Sequence, residues 1–310
     1  MSQLLQLRRL LQFLIILLTG FAGTAQQDPQ YTQYMYNPMN VNSAYAGTRG
    51  VLSIFGLHRT QWVGLDGAPV TNTLSLHTPI KNSNFGIGLS FVNDRIGPSD
   101  ENTISIDVAY RIQTSETSTL SFGIKGSADL LNVDYTKLSI YNPTDPQFQN
   151  NIDNRFSPNI GAGAYWYSDN YYLGLSVPNF LETKHYDDNS VSLAKERMHY
   201  YFMGGYVFDL SPNLKFKPAF LSKVVKGAPL QLDLTANFLI HDKFILGGAY
   251  RWSAALSGLV GFQITDQLLI GYAYDAETTK LANYNSGSHE IFLRFELFKR
   301  TEKVYSPRFF

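Results

Sequence analysis

The 310-residue chain sets 25 Lys and Arg against 25 Asp and Glu, and a net charge of zero argues against a nucleic-acid binder. It has no cysteine, which excludes disulfides, thiolate metal sites, a cysteine nucleophile and a lipoprotein anchor. Charged residues make up 16% and aromatics 14% of a chain whose mean hydropathy is slightly polar, a balance that fits a membrane β-barrel better than an array of secreted β-sandwiches.

The chain opens on Arg8 and Arg9, followed by an almost wholly apolar run from Leu10 to Phe21 and the small residues Gly23-Thr24-Ala25. This predicts a secretory signal peptide over 1–25, cut after Ala25. The apolar run falls short of the ~20 residues of a membrane-spanning helix. No later run is long enough either, so a mature protein in a membrane must cross it as a closed barrel.

Residues 26–50 hold Pro29, Pro38 and several Asn, which argue against a long helix. Tyr31, Tyr34, Met35, Tyr36, Met39 and Tyr45 make the segment too apolar for a solvated tail. It is expected to pack inside the barrel as a plug or against a periplasmic partner.

From there on, apolar and small or polar residues alternate. Strands are predicted at 51–62, 70–79, 83–93, 102–112, 119–131, 157–167, 170–178, 198–209, 213–224, 229–239, 243–252, 254–264, 267–275 and 287–298. In the third, Phe85, Ile87, Leu89 and Phe91 are expected to face lipid. Alternate connections are short and rich in Asn, Asp, Ser and Pro, as at Lys81–Asn84, Thr114–Glu116 and Ser211–Asn213. The others include the longer 94–101, 132–156, 179–197 and 276–286. Short periplasmic turns and longer external loops are the pattern of an outer-membrane barrel, and about fourteen strands put both termini on the periplasmic side. If 213–224 pairs with 229–239 across Lys226-Gly227-Ala228, paired positions sum to about 454. Lys215, Lys217 and Lys223 then share the inner face with Gln231, Asp233 and Asn237, where they are expected to be water-solvated lumenal charge.

Catalytic chemistry is hard to find. None of the six His has metal-ligand spacing, although His58 and His77, on neighbouring predicted strands, are placed to form a structural pair near a rim. Gly86-x-Gly88 and Gly161-x-Gly163 lie in strands, where glycine makes room for bulky neighbours rather than cradling phosphate. Asp145, Asp153, Asp187 and Asp188 lack calcium-loop spacing and read as solvated loop charge.

Four segments carry a resemblance. Gln27-Asp28-Pro29-Gln30-Tyr31-Thr32-Gln33-Tyr34-Met35-Tyr36-Asn37-Pro38 through Asn42–Arg49 is the first, and Arg59-Thr60-Gln61-Trp62-Val63-Gly64 through Ala68-Pro69 the second. Leu214–Pro218 through Gly227–Asp233 is the third, and Ser288-His289-Glu290-Ile291 with Ser306-Pro307-Arg308-Phe309-Phe310 the fourth. Together they resemble the PorP/SprF family over essentially the whole mature chain. The resemblance implies an outer-membrane protein of Bacteroidota associated with the type IX secretion system. It further implies a role in delivering secreted proteins with a type IX C-terminal signal domain, or in retaining them at the surface. Such cargo is often a cognate adhesin of gliding or attachment. The family is not enzymatic, so no catalytic residue and no cofactor is carried over.

The combined expectation is an all-β transmembrane antiparallel barrel over 51–298, with a basic periplasmic tail at 299–310 (Lys299, Arg300, Lys303, Arg308). Its partners would be the lipid bilayer, the secretion components and a secreted cargo, with no nucleic acid. The candidate partner-binding residues are Tyr31, Tyr34, Tyr36 and Tyr45 before the barrel and Tyr135, Tyr141, Phe148, Phe180 and Tyr186 in or beside the long loops. The loop rings would either grip a partner or fold the loops over the mouth. The alternative is a diffusion porin or uptake channel, with Asp107, Lys125, Asp129, Asp233, Arg294 and Glu296 lining a wet pore. An outer-membrane hydrolase built on His58 or His77 is the third reading.

Overall fold

The computed structural model describes residues 29–138, 150–181 and 198–297. The predicted signal peptide, the tail 299–310 and loop residues Tyr141, Phe148 and Tyr186 lie outside the described residues.

Fifteen strands form one antiparallel sheet among the described residues. They are Leu52–Thr60 (β1), Val70–Pro79 (β2), Phe85–Ile96 (β3), Ser99–Gln113 (β4), Thr119–Val133 (β5), Ile152–Tyr167 (β6), Tyr171–Val177 (β7) and His199–Tyr206 (β8). Then follow Phe208–Ser211 (β9), Leu214–Val225 (β10), Gln231–Ile240 (β11), Phe244–Arg251 (β12), Ala255–Gln263 (β13), Leu268–Glu277 (β14) and Ser288–Leu297 (β15). Each strand pairs with its sequence neighbour, except that β8 and β9 lie end to end along β10 and act as one stave. The pairing of β1 with β15 closes the ring, giving a fourteen-stave barrel. The single strand expected at 198–209 is interrupted at Val207, although the Val207 N–H still donates to the Asn170 carbonyl at 2.7 Å in line with the β7–β8 register.

The alternation sorts side chains as the sequence implies. Phe85, Ile87, Leu89 and Phe91 are exposed on the outer wall while Gly86, Gly88 and Ser90 point inward. Ile106, Ile124 and Leu175 stand well out from the wall, at 59%, 65% and 58% exposure. Meanwhile Arg59, Lys217, Asp107 and Glu290 are buried inside. Left in water, that outer wall would forgo about 1.5–3 kcal/mol per large apolar side chain, so this inside-out distribution suits lipid outside and polar groups within.

The register of β10 against β11 places Lys217 opposite Asn237 and Lys223 opposite Gln231, so paired positions do sum to 454. Lys217 is nevertheless fully buried, with its ammonium 5.4 Å from the centre of the Tyr36 ring, so it is packed rather than water-solvated. The short turns also follow their residues. His241 and Asp242 both take positive φ, +52° and +54°, the geometry of a type I′ hairpin whose twist matches the strands. The loop expected at 94–101 is largely strand: β3 and β4 run on to Ile96 and Ser99 and turn at Gly97-Pro98. Their outer ends alternate Asn93, Asp94, Arg95 and Asp100 with hydrogen-bonded partners, which keeps the ladder going where the apolar pattern stops.

Candidate functional site

The chain ahead of β1 runs inside the ring. Three single turns of 3-10 helix, Tyr34–Tyr36, Pro38–Asn40 and Ser43–Tyr45, make it compact. Pro38 starts the second turn where its missing N–H costs nothing, and the Asn42 side chain caps the third by accepting the Ala44 N–H at 3.0 Å. Tyr34, Met35, Tyr36, Met39, Ala44, Tyr45 and Ala46 are all buried and form the main apolar cluster with inward residues of the wall.

An ion cluster holds the upstream end. Glu290 on β15 accepts the backbone N–H of Thr32 at 3.0 Å and of Gln33 at 2.8 Å, one to each carboxylate oxygen. The Thr32 hydroxyl donates to Asp275 on β14 and accepts from the Arg59 guanidinium on β1 at 3.0 Å. Arg59 itself bridges Asp275 at 2.7 Å and Glu290 at 3.1 Å. One cation therefore ties the first strand to the last two, across the seam where the barrel closes.

The middle is aromatic and polar by turns. Tyr36 stacks on Phe292 at 4.7 Å, and Phe292 on Phe55 at 5.2 Å, again across the β1–β15 seam. Asn37 donates to Ser75 at 2.8 Å, and Ser176 to the Val41 carbonyl at 2.7 Å. Lys125 donates to the carbonyls of Met39 and Asn40 at 3.4 and 3.2 Å. At the downstream end Tyr45 packs edge-on to His77 and to Tyr165, His77 accepts the Gly47 N–H at 3.1 Å, and Arg49 pairs with Glu296. The wall is cut to receive this segment. A Cβ added to Gly123 would lie 2.3 Å from the Ala44 nitrogen, and one on Gly86 2.2 Å from the Ala46 carbonyl oxygen. Both neighbours are backbone, which has no rotamer with which to escape.

The candidate residues therefore separate. Tyr34, Tyr36 and Tyr45 meet in the lumen, and Tyr31 joins them through a 3.0 Å hydrogen bond to Thr73. None of the three buried rings is presented at an end of the barrel. Tyr135 is buried with Leu131 and Val133 near the outer ends of β5 and β6. It stands on a turn capped by Asp134, whose carboxyl is held below the usual range by the Thr136 hydroxyl and amide. Phe180, just past β7, is exposed, and its N–H reaches the Ile160 carbonyl at 2.8 Å.

The expected His58–His77 pair does not form. His58 points outward and shares a 2.8 Å hydrogen bond with Asn72, whereas His77 points inward; the two differ in parity on strands whose register joins Ser53 to His77. Among the described residues, no group of three or more His, Asp or Glu is placed to hold a metal ion.

The charges expected to line a wet pore do face inward, but neighbouring groups engage them. Lys125 lies 3.8 Å from Asp107, Asp233 pairs with Arg251 at 2.8 Å, Asp129 accepts from Thr103, and Glu296 meets Arg49. The Arg59–Asp275–Glu290 cluster was not anticipated. Its signal was Arg59 sharing the inner face with Phe55 and Leu57, an arginine next to two large apolar side chains on one stripe.

A family model described as "Type IX secretion system membrane protein PorP/SprF" matches residues 23–295. No curated protein matches the chain. Among solved structures, the chain is similar to the Ralstonia pickettii toluene transporter TbuX, with 10% identity and a TM-score of 0.49 over 90% of this chain and 98% of that one. It is also similar to the Acinetobacter baumannii outer membrane protein Omp33, with 9% identity and a TM-score of 0.47 over 80% of this chain and 98% of that one.

Proposed function

We propose that this chain, which belongs to the PorP/SprF family of type IX secretion system membrane proteins, is a noncatalytic outer-membrane barrel that serves secretion by docking partners and not by conducting solutes. The observation that carries the reading is the lumenal segment: residues 31–49 run through the ring and engage Lys125 and Glu296, two of the charges that a pore would leave to water. On this reading 1–25 are removed as a signal peptide, and the basic tail 299–310 meets inner parts of the machine. The outer mouth receives a secreted protein with a type IX C-terminal signal domain, such as an adhesin of gliding motility in Bacteroidota.

Two measurements test it together. Purified protein in a planar bilayer should show no steady conductance, and deletion of residues 31–46 should open one. A strain lacking the protein should lose its cognate cargo from the surface and regain it with the intact chain. Steady conductance from the intact protein, with normal surface cargo in the deletion strain, would sink the proposal and favour a porin.

A further inference from the structure

The lumenal segment has a direction. Its upstream residues touch the long-loop end of the barrel. Gln30 donates to Gln231, the first residue of β11, at 3.0 Å, and the Tyr31 carbonyl accepts from Arg251, the last residue of β12, at 3.4 Å. Thr32 binds Arg59 and Asp275, each within two residues of the same end of its strand. Its downstream residues touch the short-turn end. Ala46 and Gly47 lie against Gly86 near the start of β3, Arg111 near the end of β4 donates to the Gly47 carbonyl at 3.2 Å, and Arg49 meets Glu296 near the end of β15. Between them the chain crosses the lumen once and enters β1 at the periplasmic rim. Pro29, Gln30 and Tyr31 are only half-buried, so the upstream end is partly open.

We infer that the segment is threaded through the barrel with its upstream end at the cell surface. The outer mouth thus displays this chain's own residues 29–31, while the downstream end stays tethered to β1 on the periplasmic side. A partner arriving from outside meets the upstream end first. It touches Gln30 and Tyr31, which stand ahead of the buried ion cluster at Thr32 and Gln33 and of the aromatics deeper in the lumen. A periplasmic partner meets only the stretch around Arg49. The inference rests on the sidedness given by the short turns and is independent of the secretion role.

The absence of native cysteine makes a direct test possible. Single variants Gln30→Cys, Lys226→Cys in the external β10–β11 connection and Lys243→Cys in the periplasmic β11–β12 turn are treated on intact cells with a membrane-impermeant biotin maleimide. The Gln30→Cys variant should label to at least about half the extent of Lys226→Cys. Lys243→Cys should label only after the outer membrane is permeabilised, with a rise of roughly tenfold or more. Gln30→Cys behaving like Lys243→Cys overturns the inference. Exchanged behaviour of the two controls overturns the sidedness instead. If Gln30→Cys is shielded under both conditions, a short bismaleimide on Gln30→Cys/Gln231→Cys decides: a cross-linked product upholds the outer placement and its absence overturns it.

Discussion

Glu290→Gln is the substitution that separates a held segment from one that merely happens to fill space. The carboxylate uses one oxygen for the Thr32 N–H and the other for the Gln33 N–H, and it also pairs with Arg59. An amide of the same shape offers a single acceptor, so one backbone N–H faces an NH2 group and loses its partner. The remaining hydrogen bond becomes neutral, and Arg59 keeps only Asp275 as an ion-pair partner. Hydrogen bonds to charged groups contribute about 1.5–3 kcal/mol each. Losing one and weakening another therefore costs about 3–4 kcal/mol, with the barrel ladder untouched. A change of that size is roughly a 100- to 1,000-fold rise in the population of segment-released molecules. Hydrogen exchange read by mass spectrometry on peptides covering 29–37, in detergent micelles, should report a matching fall in protection, while peptides from β4 and β5 keep theirs. Glu277→Gln, which only makes neutral the hydrogen bond that Trp62 donates on the seam's rim, serves as the control and should leave 29–37 unchanged. A folded Glu290→Gln protein whose 29–37 peptides exchange within threefold of the parent would refute the claim that the ion cluster holds the segment.

Three further substitutions probe the wall and the belt. Gly123→Val puts a branched side chain into the Ala44 backbone, 2.3 Å from the nitrogen, and should abolish the lumenal seating; conductance in a bilayer is the readout, and Gly126→Ala, in open space on the outer wall, should leave it closed. Tyr36→Ala removes a ring stacked on Phe292 in a site with no room to collapse, at a cost of about 3–5 kcal/mol, seen as a lower temperature for loss of the heat-modifiable folded band on a gel. Ile124→Arg, on the lipid face amid the outward run Leu120–Leu130, should cost about 2–4 kcal/mol and reduce assembled protein in the outer membrane, whereas Ser222→Arg at the rim-ward part of β10 should cost markedly less.

Alternation made the barrel legible because a period of two fixes which face each residue takes, whatever lies on the other side. It placed Phe85 to Phe91 outward and Asp107, Lys125 and Asp233 inward, and with the turn at Lys226–Ala228 it fixed the β10–β11 register. What alternation cannot carry is what an inward residue touches. His58 and His77 lie on adjacent strands, yet the register pairs His77 with Ser53, five positions from His58, and their opposite parity puts the wall between them. The end of β3 was missed for another reason. Its outer residues are polar on both faces, so the apolar period stops several residues before the ladder does.

The lumen shows the same limit most sharply. An inward Asp or Lys reads alike whether water or polypeptide lies against it, so the six charges suited a wet pore equally well. The distinction was in residues 26–50, whose aromatics required cover and whose prolines ruled out a long helix. Matching the two needs numbers that only the assembled ring supplies. The wall lacks a Cβ at Gly86 and Gly123 where the segment's backbone passes, and it offers paired carboxylate oxygens at Glu290 where two consecutive N–H groups arrive. Glycines on the inner face of neighbouring strands, and a buried arginine sharing a stripe with Phe55 and Leu57, are the marks such an occupant leaves on the wall. They distinguish this lumen from one built for water, because a water-filled channel gives no reason to remove a side chain next to empty space or to desolvate Arg59 between two acids.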